Sequence, residues 1–212
     1  FRGGGVFRVT AVDCVFDGCH ALYAGGATTD NKNYGCLTKN NVCTGNAQWG
    51  GFFYWTACDN CTVLDSLGGP SGSAHPLRNA LVVGKMGSWD WNKNNLMDDG
   101  HNFTNCFILA QSYSVAESYR RFIEAGTGCI VTNDASALSV DDDGRPVIGA
   151  NLAVDAADET ASKNIGETDL SGAQRVYNGS RDAGALEADW RGIYGNDIRR
   201  RVVTVNEASE NV

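Results

Sequence analysis

Apolar residues along this chain come in runs of two to five, too short and too closely spaced by turn residues for helices. A recurring unit is Asn or Asp, then a small residue, then apolar residues. Copies are Asp13-Cys14-Val15-Phe16, Asn60-Cys61-Thr62-Val63-Leu64, Asn79-Ala80-Leu81-Val82-Val83 and Asn105-Cys106-Phe107-Ile108-Leu109. Either Gly35-Cys36-Leu37 or Asn41-Val42-Cys43-Thr44 serves as the copy between the first two, and Gly128-Cys129-Ile130-Val131 reads as a late, decayed one. Gly-Gly pairs at Gly4-Gly5, Gly25-Gly26, Gly50-Gly51 and Gly68-Gly69 recur at 21, 25 and 18 residues. From the second Gly of each pair to the next small position is 9, 10, 10 or 11 residues.

A period near 20 residues with short β-prone runs and glycine turns predicts a solenoid of stacked strands, because one such coil cannot bury its inner face alone. A helical repeat needs longer amphipathic runs. The expected fold is therefore all-β, a right-handed parallel β-helix of four or five recognisable coils with a C-terminal capping segment. Residues 1–135 would form the coils, 136–187 the closing segment, and 188–212 a tail or the start of a following module. Within 111–126, Ser114-Val115-Ala116-Glu117 has the form of a capping box, and Val115, Tyr119, Phe122 and Ile123 share a helical face. That predicts an insertion or a short helix. In stacked coils the repeated Cys and Ala fit inward positions beside a turn, and the neighbouring Asn can bond from coil to coil. The repeat is already under way at residue 1, which predicts a cut point within a longer protein, with any signal peptide upstream.

Composition changes this picture little. The 26 Gly among 212 residues suit tight turns, and the net charge of −8 argues against nucleic acid, which rewards clustered Lys and Arg. No apolar run approaches the roughly 20 residues of a membrane helix. The eight cysteines allow buried thiols or disulfides between neighbouring coils, and Cys58-Asp-Asn-Cys61 lacks the second pair that a zinc site requires.

The later region is more specific. Gly144-Arg145-Pro146-Val147, Ala153-Val154-Asp155-Ala156-Ala157-Asp158, Thr168-Asp169-Leu170-Ser171-Gly172-Ala173-Gln174-Arg175-Val176 and Asn178-Gly179-Ser180-Arg181-Asp182-Ala183-Gly184-Ala185-Leu186-Glu187 resemble the closing stretch of the choice-of-anchor Q proteins, bacterial β-helix proteins of the secreted or surface-attached kind. Ala183 stands where that pattern has a larger aliphatic residue. The resemblance implies a β-helix and an extracellular setting, secreted or at the cell surface. It implies no catalytic residues.

Candidate chemistry lies mostly in one polar stretch. Trp89, Trp91 and Lys93 form a candidate ligand-binding loop, since flat aromatic faces suit the apolar face of a sugar ring. Asp98, Asp99 and His101 can perform acid–base chemistry on a glycosidic bond and are the candidate catalytic group, with a solvated turn as the competing reading. Asp141 and Asp143, in Asp141-Asp142-Asp143-Gly144, are the candidate metal ligands, for calcium. Arg175, Asp182 and Glu187 read as structural ion pairs or caps. No complete catalytic constellation is present. The first functional reading is thus an adhesin-like module that binds or displays toward polysaccharide or cell-surface glycans. The alternative is a polysaccharide lyase or glycoside hydrolase with a groove along the coils.

Overall fold

The computed structural model describes residues 4–22, 26–29, 32–39, 42–43, 53–54, 56–64, 76–84, 103–110, 127–160, 165–176 and 179–189. The insertion or short helix expected within 111–126 and the tail from 190 onward lie outside the described residues. Among the described residues the regular structure is β, with one 3-10 turn at Ala135–Ala137.

Strands recur in the same order and pair in parallel with their predecessors. The first set is β1 (Val6–Phe7), β2 (Thr10–Val12), β3 (Val15–Asp17) and β4 (His20–Ala21). On it lie β5 (Thr28–Thr29), β6 (Lys32–Tyr34), β7 (Leu37–Lys39) and β8 (Val42–Cys43), each paired with the strand four places earlier. β9 (Phe53–Tyr54), β10 (Ala57–Asp59) and β11 (Thr62–Val63) follow on β5, β6 and β7. Then come β12 (Leu77–Arg78) with β13 (Leu81–Val82), β14 (Phe103–Thr104) with β15 (Phe107–Leu109), and β16 (Ile130–Thr132). The result is a three-strand sheet β1-β5-β9, a five-strand sheet β2-β6-β10-β12-β14, a six-strand sheet β3-β7-β11-β13-β15-β16 and the pair β4-β8. A final hairpin, β17 (Leu138–Val140) and β18 (Pro146–Asn151), is antiparallel.

One two-residue corner joins the five-strand sheet to the six-strand sheet in every tier. Its first residue is Asp13, Gly35, Asn60, Asn79, Asn105 or Gly128, with φ of 49°, 61°, 50°, 47°, 52° and 71°. Left-handed backbone is costly for most L-residues, and Asn, Asp and Gly tolerate it best, which explains the recurring residue types. The second residue is Cys14, Cys36, Cys61, Ala80, Cys106 or Cys129. Strand register aligns these six, so the copy between Asp13 and Asn60 is Gly35-Cys36-Leu37. Val42-Cys43 belongs to β8 and pairs with His20-Ala21. Corner tiers therefore number six among the described residues, where four or five coils are legible by eye. The Gly-Gly marker is also offset by one. A Cβ on Gly4 would fall 2.2 Å from the Gly26 carbonyl oxygen, so Gly4, and not Gly5, stacks on Gly26.

Hydrogen bonding continues through the corner. The left-handed residue donates its N–H forward, as in Gly35 to Asp59 O (2.9 Å), Asn60 to Arg78 O (2.9 Å) and Asn79 to Thr104 O (3.0 Å). Two residues later the N–H donates backward, as in Thr62 to Cys36 O (3.0 Å), Leu81 to Cys61 O (2.9 Å) and Ile130 to Cys106 O (2.8 Å). Both neighbours of each inner tier are thus held, and no buried corner amide is left orphaned in these pairs. Cys36, Cys61 and Cys106 are fully buried and donate their thiols to backbone carbonyls, including that of the strand-end residue two positions earlier. Among the described residues, Cys14, Cys36, Cys58, Cys61, Cys106 and Cys129 are free thiols.

Between the sheets runs a core of Phe16, Val63, Val82, Ile108 and Val131 from the six-strand sheet, facing Ala11, Cys58, Leu77 and Phe103 from the five-strand sheet. The opposite face of the six-strand sheet is apolar as well. Leu37 packs with Ala185, Leu186 and Leu170, while Leu81 and Phe107 pack with Leu138, Ala153 and Ala183. The closing segment therefore lies against the flank of the stack, across several tiers.

Asparagine side chains bind tier to tier and tier to closing segment. Asn105 Nδ2 donates to Asn79 Oδ1 (2.8 Å), and Asn79 Nδ2 to Asn60 Oδ1 (3.4 Å). Asn79 also donates to Asp158 O (2.9 Å) and accepts from Asp158 N (2.7 Å). Replacing Asn79 by Ala removes these bonds and leaves the left-handed strain, and should cost about 2–4 kcal/mol in urea unfolding. Asn79→Gly should lose about 1 kcal/mol less, because glycine accepts the backbone angle. Equal losses for the two variants would contradict this reading of the corner.

Candidate functional site

The sequence candidates separate cleanly by position. Trp89, Trp91, Lys93, Asp98, Asp99 and His101 lie between Gly84 and Phe103, outside the described residues. Asp141 and Asp143 are described and exposed, in the turn of the β17–β18 hairpin. Asp141 Oδ1 accepts from the backbone N–H of Asp143 (3.0 Å) and of Arg145 (2.8 Å), so that carboxylate closes its own turn. No group of three or more His, Cys, Asp or Glu side chains suited to a metal is found among the described residues.

A dense set of charges is instead buried within the closing segment. Arg175, fully buried, sits 3.6 Å from Glu187 Oε1 and 3.6 Å from Asp13 Oδ1. It reaches the first corner because Gly35 has no side chain: a Cβ there would lie 2.6 Å from the guanidinium. Asp169 is the most completely used carboxylate. Its Oδ1 accepts from Ser171 N (2.8 Å), Ser171 Oγ (2.6 Å) and Ala173 N (2.9 Å). Its Oδ2 accepts from Glu187 N (3.0 Å) and lies 3.3 Å from Arg145. Burial works against its charge, but these donors prevail and hold its pKa below the usual carboxylate value.

Asp182 and Glu187 behave differently. Asp182 accepts from Asp155 N (2.7 Å) and Ala188 N, and Glu187 Oε2 accepts from Asp182 N (2.8 Å). Burial raises Asp182 and pushes Glu187 up to about 8, with the Asp182 and Asp169 carboxylates adding to the rise and Arg175 opposing it. At 3.6 Å the guanidinium does not offset the desolvation of Glu187. These contacts of Asp182 and Glu187 go to backbone N–H groups and to Arg175, within the fold. The group fastens the segment to the stack, as the structural reading of Arg175, Asp182 and Glu187 expects.

Outward on the five-strand sheet is a second polar group. Val12, Tyr34, Asp59, Arg78 and Thr104 occupy one register row. Arg78 Nη1 lies 3.2 Å from Asp59 Oδ1 and 3.4 Å from Oδ2. The Asp59 side chain is 2% exposed and that of Arg78 38%. Burial raises the Asp59 pKa against the pull of Arg78. Val12 is 48% exposed, and Lys32 is exposed one alternate position away. This row was missed in sequence reading although its signal is present: Asp59 and Arg78 each precede the corner Asn.

No protein-family model matches the chain, and no curated protein matches it.

The buried acids make stability depend on pH. Between the ordinary value of 4.5 and about 8, the folded chain keeps a Glu187 proton that the unfolded chain has released. Stability therefore falls as pH rises through that window, by an amount on the order of a few kcal/mol. Asp182 slopes the same way, while Asp169 adds a loss only on the acid side. The urea midpoint should fall from pH 5 to pH 8, and Glu187→Gln should flatten most of that slope. A midpoint that rises over this range would contradict the assignment.

Proposed function

We propose that the stacked parallel strands form a right-handed parallel β-helix, related to the choice-of-anchor Q proteins, that works outside the cell as a module binding polysaccharide or cell-surface glycans. Parallel strands joined by crossovers are nearly always right-handed, which supports the hand. The in-register corner supports the solenoid, and the closing motif supports the family reading.

The observation that carries the binding reading is the difference between the two flanks. The middle tiers of the six-strand sheet have their outer face covered by the closing segment, whereas the five-strand sheet turns Val12, Lys32, Tyr34 and Arg78 outward at least in part. Strands repeat at about 4.8 Å, so a linear polymer lying across them meets the side chains of this row at a regular interval, Tyr34 and Arg78 among them. Trp89, Trp91 and Lys93 remain the proposed ligand-binding residues, and Asp141 with Asp143 the proposed calcium position.

Affinity electrophoresis through gels that contain neutral or uronic polysaccharides tests this reading. Retardation by one polysaccharide is expected, weakened at least about tenfold in a Lys32→Ala/Tyr34→Ala double variant, without cleavage of the polymer. Unsaturated or newly reducing ends would favour the enzyme reading, with Asp98, Asp99 and His101 as the groups to replace. Unchanged mobility in every gel would overturn both.

A further inference from the structure

The row of corner cysteines ends in a pair whose two members are unequal. Register places Cys106 and Cys129 at the same corner position of the last two tiers, since Phe107 pairs with Ile130. Cys106 is fully buried, while Cys129 is half-buried. The Cys106 backbone N–H points at Cys129 Sγ, 3.4 Å away. We propose that Cys129 and Cys106 form a dithiol–disulfide couple, in which Cys129 is the accessible attacking sulfur and Cys106 the resolving one.

Three features favour these roles. Attack by a thiolate needs access, and the stacked partners Cys36, Cys61 and Cys106 have none. A thiolate on Cys129 is stabilised first by the Cys106 thiol and then by the backbone N–H groups of Cys106 and Asn105, which together hold its pKa below the ordinary thiol value despite partial burial. Cys106 is raised by its burial and by its role as donor to Cys129, so it keeps its proton until the first exchange has occurred. In-register neighbours on adjacent strands lie about 4.8 Å apart, within the Cα separation that a disulfide spans.

The chemistry balances with a small-molecule disulfide as oxidant. Cys129 thiolate attacks one sulfur of the reagent, forming a mixed disulfide and releasing one thiolate. Cys106 then attacks Cys129 Sγ and its proton passes to the second leaving sulfur; the reagent leaves fully reduced as one thiolate and one thiol, the proton of Cys129 having gone to solvent when its thiolate formed. The product is a covalent bridge between the last two tiers.

The test treats the reduced whole chain at neutral pH with the chromogenic disulfide dithiobis-nitrobenzoate, followed by peptide mass mapping. Cys129 should react at least about tenfold faster than half-buried Cys14 and Cys19. Two equivalents of reduced reagent should be released per bridge, and the Cys106 and Cys129 peptides should be recovered joined. Cys106→Ala copies the residue that position 80 already places in the same row, so it should keep the fold by circular dichroism. In it the mixed disulfide on Cys129 should persist, with one equivalent released from that site. Earlier labelling of Cys14 or Cys19, or a mixed disulfide on Cys129 that persists in the unaltered chain, would overturn the proposal.

Discussion

Between the five-strand and six-strand sheets the chain bends through a left-handed residue in each of six tiers, and this bend governs what surrounds it. The geometry is costly for residues with a Cβ, so Asn, Asp and Gly recur there. It turns the next side chain inward into limited space, where Cys or Ala fits. It also reverses the direction of backbone donation, from forward at the bend to backward two residues later. A tier that lost the bend would lose its register with both neighbours at once.

The same bend makes an attachment site. An Asn held left-handed carries an amide that can reach both the next tier and a chain lying outside. Asn60 donates to Asp182 O (3.4 Å) and Asn79 to Asp158 O (2.9 Å). Where the row has glycine at Gly35, Arg175 fills the space and meets Asp13. Leu37, Leu81 and Phe107 supply the apolar part of this contact. Removing apolar area from water drives the docking, while the buried carboxylates and Arg175 set its place at some cost in desolvation.

Much of this was legible in the residues because the corner constrains residue type. Asp13-Cys14, Asn60-Cys61, Asn79-Ala80 and Asn105-Cys106 announce it directly, whereas Gly35 and Gly128 satisfy the same φ with different chemistry and so hide the middle and last copies. The sideways docking of the closing segment was not legible. Leu37, Leu81 and Phe107 look like ordinary strand residues, and alternation cannot say what covers an outer face. The Asp59–Arg78 pair joins residues 19 positions apart, and only the register makes them neighbours. The loop with Trp89, Trp91, Asp98, Asp99 and His101 carries no periodic constraint, so its residues suggest chemistry without a placement.

In-register stacking across all six tiers is the claim on which the rest depends, and a distance measurement reaches it. Val15 and Ile130 are both exposed, at 51% and 37%, and stand at opposite ends of one register row of the six-strand sheet. Spin labels introduced there on unnatural amino acids leave the native thiols untouched. Five strand spacings put the two backbones about 24 Å apart, and pulsed dipolar spectroscopy should return one narrow distribution near that value, widened only by the label arms. A broad distribution, or one centred well below that separation, would contradict the stacked arrangement.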